Sequence, residues 1–471
     1  MLHRCTPLFF LAALPLSFPA ALTAQTWTLT PTANDPGDRV DAAAAYDAGS
    51  ANTVLFGGDF VGGVLPTDTW LFDGANWSPA SPTTSPPGRR RHAMAYDLGR
   101  GKVVLFGGFG GGVLGDTWEW DGVTWTQATP AASPPGRYAH SMAYDVARGV
   151  TVMFGGTTSD ILPRTRTDTW EWDGTNWTQV VTASAPSEAE DTAMCYDLTR
   201  GVCVLAGGTS FFGAPDQSTW EYDGVNWTNV TSLVGPGPTA LPGLGVSDAQ
   251  MVYDVACGAA ILHGGRTPNG TFPVETWSYD GTAWTMIANS GPASRTRFAM
   301  AYDLVRSRTV LYGGINGPFT VRFRDTWEFQ ACVPGSYTIF GAGCAGTAGA
   351  ATNTVNAAPR IGQTMSITFG PVVAPEGALL VIGTSNTTSV FGPLPVDLAP
   401  LGAAGCFGRV STDALQLFGL GGAGAVTFNV PVPNFAGFVG LSIYTQGLVF
   451  DVAANPFGIV VSDAAAAVIG N

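Results

Sequence analysis

Three histidines lie beyond the first few residues of the chain, His92, His140 and His263. His92 and His140 occupy equivalent places in consecutive copies of a repeat, where paired imidazoles could ligate a metal or act as hydrogen-bonded supports of the loops. A metal would need further carboxylate donors at short range, and the sequence places none, so no metal and no cofactor are assigned. His263 stands just before a glycine pair where most other copies have an aromatic residue, a packing position. Arg39, Arg89, Arg137 and Arg295 recur at one register, and Asp68, Asp116, Asp168 and Asp325 recur at another. A planar guanidinium matches a carboxylate with two parallel hydrogen bonds. The copy entered through Glu188, Glu190 and Asp191 lacks the arginine and carries Ser218 in place of the acid. Losing both together favours structural ion pairs over an anion-binding site. There is no Gly-x-Ser-x-Gly elbow, His-Glu-x-x-His helix or phosphate loop, and no catalytic residue is assigned.

These residues are positioned by a repeat of Tyr-Asp, an apolar strand ending in Gly-Gly, a Thr-Trp pair and a further tryptophan. The glycine pairs begin at Gly57, Gly107, Gly155, Gly207, Gly264 and Gly313. A period near fifty residues calls for small sheets stacked around an axis. One copy reads as strands at 92–96, 103–106, 117–120 and 124–128, joined by turns rich in Asp and Gly. The fourth-strand tryptophans are Trp77, Trp125, Trp177, Trp227 and Trp284, and the sixth copy has none. Trp27 precedes the first Tyr-Asp by the interval at which Trp77 precedes the second. The N-terminal segment is therefore expected to complete the last sheet and close the ring, removing an open seam. The large rings are read as filling between the sheets rather than as a sugar platform.

Gly-Gly with two registered aromatic positions resembles the kelch repeat over about residues 26–330, and the resemblance implies a β-propeller; the six copies and the placement of Trp27 give six blades, with seven as the alternative. The resemblance also implies that the loops between strands two and three gather on one face. Here they span 59–67, 109–115, 157–167, 209–217, 266–274 and 315–324 and differ in length and composition. Unequal loops on a rigid scaffold suit recognition, so the binding-face candidates are His92, His140, Asp160, Arg164, Arg266 and Arg322. The propeller domain of galactose oxidase is a related resemblance, but its paired-histidine, cysteine-linked tyrosine copper site cannot be matched to residues of this chain.

With 21 Lys plus Arg against 35 Asp plus Glu, the net charge of -14 disfavours a nucleic-acid groove. Residues 1–24 have the order of a signal peptide, a short basic start, an apolar run and small residues near Ala24. No later segment reads as a transmembrane helix. In an exported chain the cysteines permit disulfides. Cys195–Cys203 and Cys344–Cys406 are the preferred pairs, with buried thiols as the alternative for the first. The expected organisation is a leader over 1–24, an all-β propeller over 25–331 and a small β-sandwich-like domain over 332–471. The last resembles C-terminal modules of secreted bacterial proteins in its Gly341–Cys344 and Asn455–Gly458 motifs. The expected function is a secreted, noncatalytic binder of an extracellular protein or glycan. A structural envelope protein and an extracellular oxidase or hydrolase are the alternatives.

Overall fold

The computed structural model describes residues 25–470, apart from 159–164, 188–189, 210–215, 232–245, 333–335, 356–357, 362, 373–376, 390–391, 413–414, 421–423, 434–440 and 457. The chain divides into two compact units, one ending at Pro334 and one running from Gly335 to Asn471.

The first unit is built from six four-stranded antiparallel sheets. In the second blade the strands are Ala93–Asp97, Lys102–Phe106, Thr117–Trp120 and Trp125–Ala128. Val103–Phe106 of the second strand are fully buried because both faces carry apolar residues against neighbouring blades. The sixth sheet takes its fourth strand from Trp27–Thr30, which pairs with Thr326–Phe329 in the register Trp27↔Phe329 and Thr30↔Thr326. Both chain ends of the propeller thus lie in one sheet, which leaves no gap in the ring.

Sheet-to-sheet contact is made by the repeated residues themselves. Each fourth-strand indole donates to a threonine hydroxyl of the preceding blade at 2.8–2.9 Å: Trp77 to Thr326, Trp125 to Thr69, Trp177 to Thr117, Trp227 to Thr169, Trp284 to Thr219 and Trp27 to Thr276. Six buried rings therefore also satisfy their only polar atom. The glycine pairs permit the blades to approach. Gly107 has φ +63°, and a Cβ there would lie 2.4 Å from the Arg137 carbonyl of the next blade. That carbonyl accepts the amide of Gly108 at 2.8 Å. Only glycine tolerates both the backbone angle and the proximity.

The disulfide expectation is half corrected. Cys344 and Cys406 are bonded, within the second unit, but Cys195 and Cys203 are free buried thiols. Cys203 lies opposite Tyr196, not Cys195, in the hairpin register. Adjacent residues of a strand face opposite sides of a sheet, so the two sulfurs enter different interblade layers. The propeller is instead tied by Cys257–Cys332, which joins the fifth blade to the chain just after the sixth. That link places Cys332 with the first unit.

In the second unit a five-stranded sheet and a three-stranded sheet share one apolar core, contributed by residues such as Ile367, Phe369 and Phe428 from one and Leu380, Ile382 and Val461 from the other. This is a small β-sandwich-like arrangement. Its strands, for example Ser442–Phe450 and Ile459–Val468, extend well past the short apolar cores visible in the sequence. Polar residues within them are held by buried hydrogen bonds, as in the Gln446 amide donating to the Ser462 carbonyl at 2.8 Å. The Asn455–Gly458 motif is a turn in which the Gly458 amide donates to Asn455 Oδ1 at 2.9 Å.

Candidate functional site

Arg39, Arg89, Arg137 and Arg295 are each completely or almost completely buried. Each enters just before a first strand and pairs with the acid of its own blade: Arg39 with Asp68 at 2.6 Å, Arg89 with Asp116 at 2.7 Å, Arg137 with Asp168 at 2.7 Å and Arg295 with Asp325 at 2.6 Å. The guanidinium also donates to the carbonyl of the first paired glycine, as from Arg137 to Gly155 at 2.8 Å. The same acid accepts the indole N–H of the following Thr-Trp residue, as Trp170 to Asp168 at 2.8 Å. Burial alone would raise the pKa of Asp168, but Arg137 outweighs it and holds the carboxyl below its ordinary range. In the fourth blade Ser218 Oγ accepts the Trp220 indole instead, at 2.9 Å. These are intrablade braces in which every guanidinium nitrogen donates to a group of its own blade, leaving little for a ligand.

Two residues further along, the chain forms a collar that the sequence did not reveal. Asp41, Arg91, Ala139, Asp191, Asp248 and Arg297 hold equivalent positions, and all adopt φ between 55° and 59°. The amide of each donates to the carbonyl of its counterpart in the preceding blade, from Asp41 to Arg297 at 2.9 Å and on through Arg297 to Asp248 at 3.4 Å. The hydrogen bonds form a closed ring at the channel mouth on the loop face. Left-handed φ turns each side chain into that mouth, and non-glycine residues accept the strain only where the surroundings fix them.

Three carboxylates and two guanidiniums meet there. Arg91 pairs closely with Asp191 and lies 3.9 Å from Asp248, while Arg297 lies 3.4 Å from Asp248 and 3.9 Å from Asp41. Burial, with Asp191 alongside, pushes Asp248 up to about 7, and burial also raises Asp41. Beneath the collar His92 and His140 are each only 6% exposed. Burial and the nearby Arg89 hold His92 well below the usual histidine range, and burial with Arg137 pushes His140 down to about 3. Both rings are neutral at physiological pH, and neither nitrogen of His92 has a hydrogen-bond partner. The two stack edge-on against Phe56 and Phe106. His263, by contrast, is bonded through Nδ1 to Thr276 Oγ1 at 3.0 Å and packs on Trp27. A cavity of about 80 Å³ lies among the collar and the two histidines. A larger one of about 310 Å³ runs along the first strands between Ala, Met and Tyr side chains.

Of the other loop-face candidates, Arg266 is exposed, whereas Arg322 reaches back across the closing seam to the Asp59 carbonyl at 2.5 Å and its carboxylate at 3.2 Å. Asp160 and Arg164 lie outside the described residues. Guanidiniums stand over rings around the mouth: Arg90 on Phe109, Arg91 on Tyr138 and Arg297 on the exposed Phe319. The opposite face carries a second set of ion pairs missed in the sequence. Arg100, Arg148, Arg200 and Arg306 each bridge the Asp of their own Tyr-Asp pair, at 2.7 Å, to Glu119, Glu171, Glu221 or Glu328 of the third strand. Where the arginine position is Ser50 or Cys257, the glutamate position is Leu71 or Ser278. That covariation among copies was a readable signal.

Among the described residues no group of three or more His, Cys, Asp or Glu side chains is arranged to hold a metal ion, and no helix is long and apolar enough to cross a membrane. Residues 18–208 match the family model of the KLHDC2/KLHL20/DRC7 Kelch-repeats domain, so a kelch-repeat, propeller-like domain is present. No curated protein matches the chain. Similar solved structures include the structure of YjhT, with 13% identity, a TM-score of 0.48, and coverage of 63% of this chain and 95% of that one. The structure of SapL1 lectin in complex with alpha methyl fucoside has 14% identity, a TM-score of 0.40, and coverage of 58% and 88%.

Proposed function

We propose that this is a secreted, noncatalytic kelch-repeat protein that binds an extracellular protein or glycan through the loop face of its propeller. The observation that carries the reading is the contrast between the two faces. Uniform turns occupy one, while the other surrounds a charged channel mouth with unequal loops bearing arginines and aromatic rings. Such rings with adjacent guanidiniums supply flat apolar area and directional donors, the usual anchors of recognition. Two disulfides and the leader-like residues 1–24 support an oxidising, extracytoplasmic location. The test is a binding screen of the full chain against immobilised extracellular proteins and glycans. A saturable partner whose affinity falls at least tenfold in Arg266→Glu or Phe319→Ala supports the assignment. Binding that persists unchanged in both variants, or no partner at all, overturns it.

A further inference from the structure

The collar has one carboxylate more than it has guanidiniums, and its three acids already compete for two arginines. Directly below, the His92 ring is more than nine-tenths buried, lines the same small cavity and finds no protein partner for either nitrogen. A buried imidazole without partners is costly to keep, so a group able to donate a hydrogen bond to it would relieve that cost. The same group would be favoured by the carboxylate excess if it carried a positive charge.

We infer that the channel mouth is a socket for a primary ammonium group, specifically the side-chain tip of a lysine on a protein partner. This rests on the loop face being a recognition surface and names the chemistry it would recognise. An ammonium presents three N–H donors, which suits the Asp248 and Asp41 carboxylates together with the acceptor nitrogen of neutral His92. The raised pKa values of Asp248 and Asp41 agree, since carboxyls pushed up by burial and mutual repulsion gain most from a nearby cation. The cavity of about 80 Å³ accepts a few non-hydrogen atoms on an unbranched stem. The methyl groups of Ala139 and Ala249 flank it, which favours an alkyl chain over a sugar ring. A lysine is accordingly preferred to an amino sugar.

The test titrates n-butylammonium, and separately glucosamine, into the full chain by calorimetry, with thermal melts confirming that each variant is folded. Saturable binding of n-butylammonium is expected, weakened at least tenfold by Asp248→Asn and by His92→Phe, with glucosamine not binding. Ala139→Lys offers a check should the Asn variant fail to fold, because it places an ammonium inside the collar and should abolish binding of added amine. Absence of saturation with n-butylammonium, equal binding by all folded variants, or preference for glucosamine overturns the inference. Failure here leaves the loop-face reading standing, because that is judged on Arg266 and Phe319, which lie outside the collar.

Discussion

Trp27 Nε1 and Thr276 Oγ1 lie 2.8 Å apart although 249 residues separate them in the chain, and the bond is buried. The same hydroxyl meets His263 Nδ1 at 3.0 Å. One threonine therefore satisfies two buried nitrogens at the place where the ring closes.

Replacing that hydroxyl is expected to cost more than replacing the indole donor. Thr276→Val strands both nitrogens and should destabilise the propeller by about 1–3 kcal/mol. Trp27→Phe removes one donor together with its demand, and the double variant should lie below the sum of the singles. Urea unfolding of the three variants checks this, and strict additivity would show the bond to be energetically idle.

The buried arginine braces predict a similar asymmetry. Arg137→Met leaves Asp168 without its guanidinium partner, at a cost of about 3–5 kcal/mol. Arg137→Met combined with Asp168→Asn should recover part of that loss, because no unpaired charge remains and the asparagine oxygen still accepts the Trp170 indole. The fourth blade motivates the prediction, since it lacks the arginine and carries Ser218 in place of the acid. Melting temperatures of the single and double variants decide it.

The two free thiols should be inert in the folded protein. Burial holds the pKa of Cys195 and Cys203 far above the ordinary range, and both side chains are inside interblade layers. For the chain from Gln25 onward, a maleimide reagent should label no cysteine under native conditions and two in denaturant without reductant. Rapid native labelling, or none after denaturation, would contradict this cysteine assignment.

Acid should unfold the propeller through its histidines. His140 and His263 titrate near 3 in the folded protein and near 6.5 when unfolded, because burial, followed by a nearby arginine, disfavours their charge. The unfolded chain binds more protons between those values, so this contribution is complete above pH 6.5 and is lost as pH falls toward 3. Each histidine sets a slope of up to about 1.4 kcal/mol per pH unit. The raised Asp248 acts in the opposite sense: it favours the folded state when protonated, and that contribution disappears as pH rises from near 4 through about 7. Denaturant titrations from pH 4 to 7 should show His140→Phe flattening the acid limb and Asp248→Asn steepening it. No change in either slope would refute the assignment of these groups.

The ring, its blade count and its closure were legible because Gly-Gly and tryptophan recur locally with a fixed period. The brace from Arg89 to Asp116 was legible for a related reason, since both members disappear from the same copy. The collar of Asp41, Arg91, Ala139, Asp191, Asp248 and Arg297 was not, because its members differ chemically and share only a backbone angle. Their proximity arises from rotation about the propeller axis, which strand patterning does not encode. The Cys195–Cys203 expectation failed on parity: closeness in a hairpin was visible, but the facing of each sulfur depends on a one-residue register.

Having Trp27–Thr30 as the outermost strand of the final sheet has a temporal consequence. As synthesis proceeds from the amino end, this segment is made before every other propeller strand, yet its pairing surface at Thr326–Phe329 is the last propeller strand to be made. Until then it remains an unsatisfied extended ribbon, able to join a neighbouring molecule's unfinished sheet instead of its own. Yield of monomer should therefore depend on how dilute the nascent chains are while they wait.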